Sequence, residues 1–264
     1  MNGYVVIHDA VPAAQCRAVI AAGFAFLEMD PANPDDWYRE PLTPGGMIEM
    51  YQHQALWDNR QAPRIHELFT DLWGNPALWV SIDRANIKLP VRPDKPGWDH
   101  AGFLHLDAST ATLPIPFGLQ GVLYLADTAA DQGGFRCLPG WHRRTADWIR
   151  LAALPPAERE RELAALPVTS IPGRAGDFLA WNNSLPHGNG QNRSALPRFA
   201  QYISMRPAAG HPAAREDRVR RWRERLAPQG SWVLGDPRRW EETKGTTAEL
   251  TPLGRKVLGL DSWG

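Results

Sequence analysis

Phe117-Gly118-Leu119-Gln120-Gly121-Val122-Leu123-Tyr124-Leu125 sets Phe117, Leu119, Gly121, Leu123 and Leu125 against Gly118, Gln120, Val122 and Tyr124. Successive side chains of a strand point to opposite faces, so this stretch is a strand by period two. Outward from it, short runs of strand character recur at 4–8, 79–89, 103–107, 135–138, 169–173, 177–182 and 198–205. Helical spacing marks 14–27, 62–74, 145–154 and 157–166, the last two divided by Pro155-Pro156, and part of the arginine-rich segment from 215, where Val219, Trp222 and Leu226 are helically spaced. Gly and Pro together supply 47 of the 264 residues, so many turns are expected between these elements. Several short strands with Gly, Pro and Asp turns suggest an antiparallel double-sheet roll, not βαβ units.

Lys+Arg and Asp+Glu are 29 each, leaving no basic excess for a polyanion; no nucleic-acid partner is expected. Twelve Trp mark a folded chain. Cys16 and Cys137 are too few for a disulfide scaffold and are expected as free thiols. No positive patch precedes the first apolar run, and no apolar stretch reaches about 18 residues, so neither a signal peptide nor a membrane span is expected. The expected setting is cytoplasmic, as monomer or homodimer.

Residues 1–210 are expected to form one domain, and 211–264 a Trp- and Arg-rich extension packed on the core or acting as a lid. That extension holds six arginines between Arg215 and Arg225, interleaved with Glu216, Asp217 and Glu224. They offer a place for the phosphates of a coenzyme A thioester, should the substrate be one.

Of eight histidines, only His105 has a carboxylate two residues away, on Asp107. On a strand, positions i and i+2 share a face, so imidazole and carboxylate converge. His187, in the polar segment Pro186-His187-Gly188-Asn189-Gly190 behind a hydrophobic strand, is the best third ligand. Two histidines and one carboxylate form the facial triad of mononuclear non-haem iron, with open positions left. Zinc accepts the same three donors. Arg198 follows His187 by 11 residues, at the start of the next strand. A guanidinium aimed into a metal pocket there suits the far carboxylate of a dicarboxylate cosubstrate.

His105-Leu106-Asp107, then Gly134-Phe135-Arg136-Cys137-Leu138-Pro139-Gly140-Trp141-His142-Arg143, then Gly176-Asp177 and Pro186 to Ser194 with Arg198, together resemble the phytanoyl-CoA dioxygenase family. The opening Gly3-Tyr4-Val5-Val6-Ile7 followed by Val11-Pro12 is similar too, and the likeness runs from about residue 3 to 206. Trp141 departs from the family's usual Ser. The resemblance implies a mainly β fold with flanking helices, a double-stranded β-helix (jelly roll, cupin-like). It implies iron(II), 2-oxoglutarate as cosubstrate and dioxygen, with His105, Asp107 and His187 as catalytic metal ligands and Arg198 on the cosubstrate's distal carboxylate. Asn86, Lys88, Gln120 and Asn189 are then candidates to contact the cosubstrate, and His142 is structural. Retention of Asp107 implies hydroxylation of a small organic metabolite, with release of succinate and carbon dioxide. Trp98, His100, Phe103 and the Pro-rich loop 31–48 are plausible pocket cover. The competing readings are a zinc-dependent hydrolase or lyase and a non-enzymatic β-barrel binding protein.

Overall fold

The computed structural model describes residues 1–208, 212–230 and 232–263. The alternation read across 117–125 appears as β4 (Leu119–Tyr124), the middle strand of a five-stranded antiparallel sheet. Its neighbours are β7 (Phe178–Asn182) and β9 (Arg198–Tyr202), with β1 (Tyr4–Ile7) and β3 (Ala85–Lys88) at the edges. Gly121 sits where these strands approach closely: a Cβ there would collide with the Phe178 ring and the Ile203 carbonyl. A two-stranded sheet pairs β2 (Leu78–Val80) with β10 (Met205–Pro207). A three-stranded sheet runs β6 (Thr169–Ser170), β5 (Phe135–Cys137), β8 (His187–Asn189).

The alternation divides the large sheet's surroundings. On one face Leu123, Phe178, Ala180 and Ile203 join the main core with α1 (Ala13–Leu27), α2 (Gln54–Arg60) and α3 (Pro63–Trp73). On the other, Val122, Tyr124, Leu179, Trp181 and Ala200 pack with Phe135 and Cys137 of the three-stranded sheet. Beyond that small sheet lies a hairpin of α4 (Thr145–Ala152) and α5 (Pro156–Ala164), whose Trp148, Leu151 and Leu163 cluster with Leu104 and Leu106.

The expectation of a mainly β jelly roll is corrected. The three sheets are separate, none closes into a barrel, and the described residues hold eight α-helices, so the fold is mixed α/β. The run 79–89 divides at 81–84 and serves two sheets as β2 and β3; 198–205 divides likewise at 203–204 into β9 and β10. Residues 103–107 contribute one bridge instead of a strand, so the small sheet stops at three strands and cannot wrap onto the large one. His187, expected in a loop, begins β8, and α2 was not anticipated by any apolar period. Cys16 and Cys137 are both free and buried.

The expected boundary at 210–211 falls outside the described residues. After it come α6 (Pro212–Glu224), α7 (Trp240–Lys244) and α8 (Pro252–Leu258). Ala248, Val257 and Leu258 are buried in the main core, and Val219, Trp222 and Trp240 pack against it. Four of the six arginines between 215 and 225 donate to backbone carbonyls, and a fifth, Arg220, pairs with Asp217 and Glu224. Arg215 donates to Gly259 and Leu260, Arg218 to Val80, Val257 and Leu258, Arg221 to Ala227, and Arg225 to Glu241 and Glu242. That binding leaves them little to offer a phosphate. No helix among the described residues is long and apolar enough to cross a membrane.

Buried Glu241 ties this region to the core by accepting from the backbone N–H of Tyr51 (2.6 Å) and Gln52 (2.7 Å). Burial pushes the Glu241 carboxyl up to about 7 against the pull of these hydrogen bonds, and removing the side chain leaves two buried N–H groups unsatisfied, at about 1–3 kcal/mol each. Glu241→Ala is therefore expected to destabilise the protein by about 3 kcal/mol. Denaturant unfolding at constant m-value checks this.

Candidate metal centre

His187 is placed by its own strand. Its backbone pairs with Cys137 of β5 on one side and with His105 on the other. The His105 N–H donates to the His187 carbonyl (2.8 Å) and the His187 N–H to the His105 carbonyl (3.1 Å). Directly opposed residues of an antiparallel pair share a face, so the two imidazoles project together, ring centroids 4.8 Å apart. Asp107 closes the group: Oδ1 lies 3.3 Å from His105 Nε2 and Oδ2 lies 3.4 Å from His187 Nε2. One ligand atom from each residue falls within 4.8 Å of the others, the only such cluster found among the described residues.

The imidazoles are held in a ligating form. Nδ1 of His187 is 2.9 Å from the Leu185 carbonyl and Nδ1 of His105 is 3.2 Å from that of Phe103. A carbonyl only accepts, so each Nδ1 carries a proton and each Nε2 is the ring nitrogen turned inward, toward Asp107. Burial raises the Asp107 carboxyl's pKa, but hydrogen bonds from His105, His187 and Gln120 outweigh it and hold the group far below the usual carboxylate range. The hydrogen bond to Asp107 in turn raises His105. His187 is braced by aromatic rings, with Phe135 stacked at 5.7 Å and Trp181 at 4.9 Å.

Gln120 donates from Nε2 to Asp107 Oδ2 at 2.7 Å. Such outer partners aim a ligand, and their loss typically costs 10–100-fold in metal affinity. Gln120→Leu is expected to weaken metal binding by roughly that factor while leaving the fold intact, since the side chain is only half-buried. Titration of the apoprotein with cobalt(II), followed by its visible spectrum, gives the measurement.

Register brings the other expected residues to the same face of the large sheet. Lys88 lies opposite Arg198, Asn86 and Tyr124 opposite Ala200, and Gln120 opposite Trp181. Arg198 is fully buried. Its Nη1 donates to Asn86 Oδ1 at 3.1 Å, whereas Nε and Nη2 have no partner among the described residues. Asn86 is engaged at both ends, its Nδ2 donating to the Gly45 carbonyl at 2.8 Å. Lys88 Nζ donates to the His100 carbonyl at 2.6 Å, and burial with the nearby Arg198 and Arg136 charges brings its pKa down to about 8. Asn189 Nδ2 donates to the Tyr202 hydroxyl at 3.0 Å, and Tyr124 spans to the small sheet through the Ile171 carbonyl. In the expected cover, Trp98 meets Tyr38 of the 31–48 loop edge to face. The sequence reading missed Trp181 and Tyr202, although each continues the period-two face of Leu179 or of Arg198 and Ala200.

A 2-His-1-carboxylate triad is the metal-binding arrangement typical of iron(II)/2-oxoglutarate oxygenases. The chain belongs to the phytanoyl-CoA dioxygenase (PhyH) family, whose model matches residues 1–200. A Dictyostelium discoideum protein designated a candidate phytanoyl-CoA dioxygenase is 23% identical over 257 residues, spanning 78% of this chain and 73% of its own. Among solved structures, the epimerase SnoN in complex with Fe3+, alpha ketoglutarate and nogalamycin RO is 20% identical. It covers 78% of this chain and 80% of its own, with a TM-score of 0.52. The hypothetical protein JW0805 from Escherichia coli is 16% identical over 98% of this chain and 79% of its own, with a TM-score of 0.72. At these identities the structures speak to the fold alone.

Proposed function

We propose that this protein is an iron(II)- and 2-oxoglutarate-dependent dioxygenase that hydroxylates a small organic molecule. The observation that carries the reading is the pairing of the His105–Asp107–His187 triad with Arg198, a buried cation with two N–H groups that lack an acceptor. The donor set would fit iron(II): two imidazole Nε2 atoms and one carboxylate, a set that leaves coordination positions for a cosubstrate and dioxygen. The orphaned guanidinium fits the distal carboxylate of 2-oxoglutarate, the charge-assisted partner it lacks. When both are bound, metal and cosubstrate together reduce dioxygen and oxidise the substrate's C–H bond, the cosubstrate leaving as succinate and carbon dioxide.

The chain's own residues do the rest. The Leu185 and Phe103 carbonyls hold the imidazole tautomers, Gln120 aims the Asp107 carboxylate, and Asn86 aims Arg198. Phe135 and Trp181 fix the His187 ring and keep water from its buried side. Lys88 and Asn189 are the remaining cosubstrate candidates, Lys88 by exchanging the His100 carbonyl for an anion. The segment up to residue 210 is then the catalytic unit and the remainder an extension packed on its core.

The test is anaerobic addition of iron(II) and 2-oxoglutarate, which is expected to give a visible charge-transfer band. Aerobic incubation with metabolite pools is then expected to couple succinate release to a product heavier by one oxygen atom. A product of unchanged mass would point to epimerisation, the reaction named for SnoN. No band with either iron(II) or 2-oxoglutarate varied would sink the reading.

A further inference from the structure

Gln120 meets the metal centre with one end of its amide. Nε2 donates to Asp107 Oδ2 at 2.7 Å, while Oε1 is buried with no partner among the described residues. A buried amide oxygen without a donor carries the full cost of its lost hydration. A donor in the same condition belongs to the neighbouring strand. Trp181 is 4% exposed, and its Nε1–H is also buried without an acceptor among the described residues. The two residues are cross-strand partners, Gln120 of β4 opposite Trp181 of β7. Directly opposed residues of an antiparallel pair share a face, with Cβ atoms about 4.5–5.5 Å apart, a span that an indole and a glutamine side chain bridge between them. By alternation this is the face of Val122, Tyr124 and Leu179, turned toward the small sheet.

The two ends of the amide have complementary neighbours. An ionised carboxylate only accepts, so the amide turns its NH2 group to Asp107, which leaves the carbonyl for a donor. An indole N–H only donates. One amide orientation therefore suits both neighbours. The reversed one suits neither, since it sets oxygen against carboxylate and N–H against N–H. The indole is held in place, its ring 4.7 Å from that of Phe135 and 4.9 Å from that of His187. On the other flank of Trp181 stands Tyr4 of β1, whose hydroxyl is the rival acceptor.

We infer that Trp181 is a positioning residue of the metal centre: with a metal ion bound, its indole N–H donates to Gln120 Oε1 and locks the amide that aims Asp107. The inference rests on the metal-binding reading of the His105–Asp107–His187 cluster. Trp181 acts here through Gln120 and touches neither the metal nor its carboxylate ligand.

The experiment is a double-mutant cycle, read by cobalt(II) titration of the apoprotein. Trp181→Phe keeps an aromatic ring against Phe135 and His187 and removes the N–H. It is expected to weaken cobalt(II) binding about fivefold, the loss typical of one neutral hydrogen bond. In the Gln120→Leu background the same substitution is expected to change affinity by less than about twofold, because the amide it acts on is gone. A packing role, or a bond to Tyr4, gives the same loss in both backgrounds. That additivity overturns the inference, as does a Trp181→Phe variant that binds cobalt(II) like the wild type. A second measurement does not need that variant to fold. In the zinc(II)-loaded protein, one indole N–H proton resonance is expected to move upfield on Gln120→Leu, as a hydrogen-bonded N–H does when its acceptor is removed. Indole resonances that all stay in place overturn the inference as well. Wild-type protein that binds no cobalt(II) overturns the metal-binding reading and the inference with it, so the two failures are told apart.

Discussion

His187→Ala is expected to abolish turnover and to weaken metal binding by well over 100-fold, beyond the roughly 10–100-fold typical of losing an outer partner. The magnitude follows from geometry. His187 supplies one of three donors, and its backbone pairing with His105 also fixes where a second one points. The substitution keeps that pairing but removes the ring between Phe135 and Trp181, at a stability cost of about 1–3 kcal/mol. The measurement separates the two effects. Thermal unfolding reports the packing loss, and cobalt(II) titration at a temperature where the variant is folded reports the ligand loss. A folded variant that binds metal like the wild type would remove His187 from the centre.

Arg198→Leu produces the opposite pattern. If Arg198 holds the distal carboxylate as proposed, metal affinity is expected to be retained, because no ligand atom is touched, whereas affinity for 2-oxoglutarate is expected to fall by about 100-fold or more, as for truncating one side of a buried charged contact. The metal-free variant is expected to be no less stable than the wild type. In the wild type a buried cation keeps two N–H groups without acceptors, a cost the leucine does not carry, offset only by the lost bond to Asn86. Saturating 2-oxoglutarate is then expected to raise the melting temperature of the metal-loaded wild type and not that of the variant. A variant still stabilised by 2-oxoglutarate would show that the distal carboxylate is bound elsewhere.

The separate legibility of site and fold has a physical cause. Period-two spacing is local, so His105 with Asp107, Asn86 with Lys88, and Gln120 with Tyr124 could be assigned shared faces from the sequence. Whether those faces meet depends on strand order, which local spacing does not encode. The jelly-roll expectation failed at that level. The run 79–89 reads as continuous, yet Ser81 donates its backbone N–H to Ser204 and the chain there hands over from one sheet to another. Residues 103–107 look extended, yet only His105 finds a ladder partner. The short helices near the C-terminus escaped notice because tertiary contacts hold them: Glu241 is fixed by Tyr51 and Gln52, not by an apolar stripe. The role of Gln120 was also invisible, since an amide on a strand has many possible partners and only register selects Asp107.

One property of the centre bears on how the chain reaches its native state. Arg198 and Asn86 meet across 112 residues, and His105 meets His187 from a different sheet. Contacts of such separation form late, after the loops between them have closed. Neither ligand geometry nor arginine alignment can exist in a chain that has laid down only its N-terminal half. Metal uptake during refolding should accordingly lag behind the recovery of helical circular dichroism, and iron cannot be held by all three ligands before residue 187 has been added to the chain.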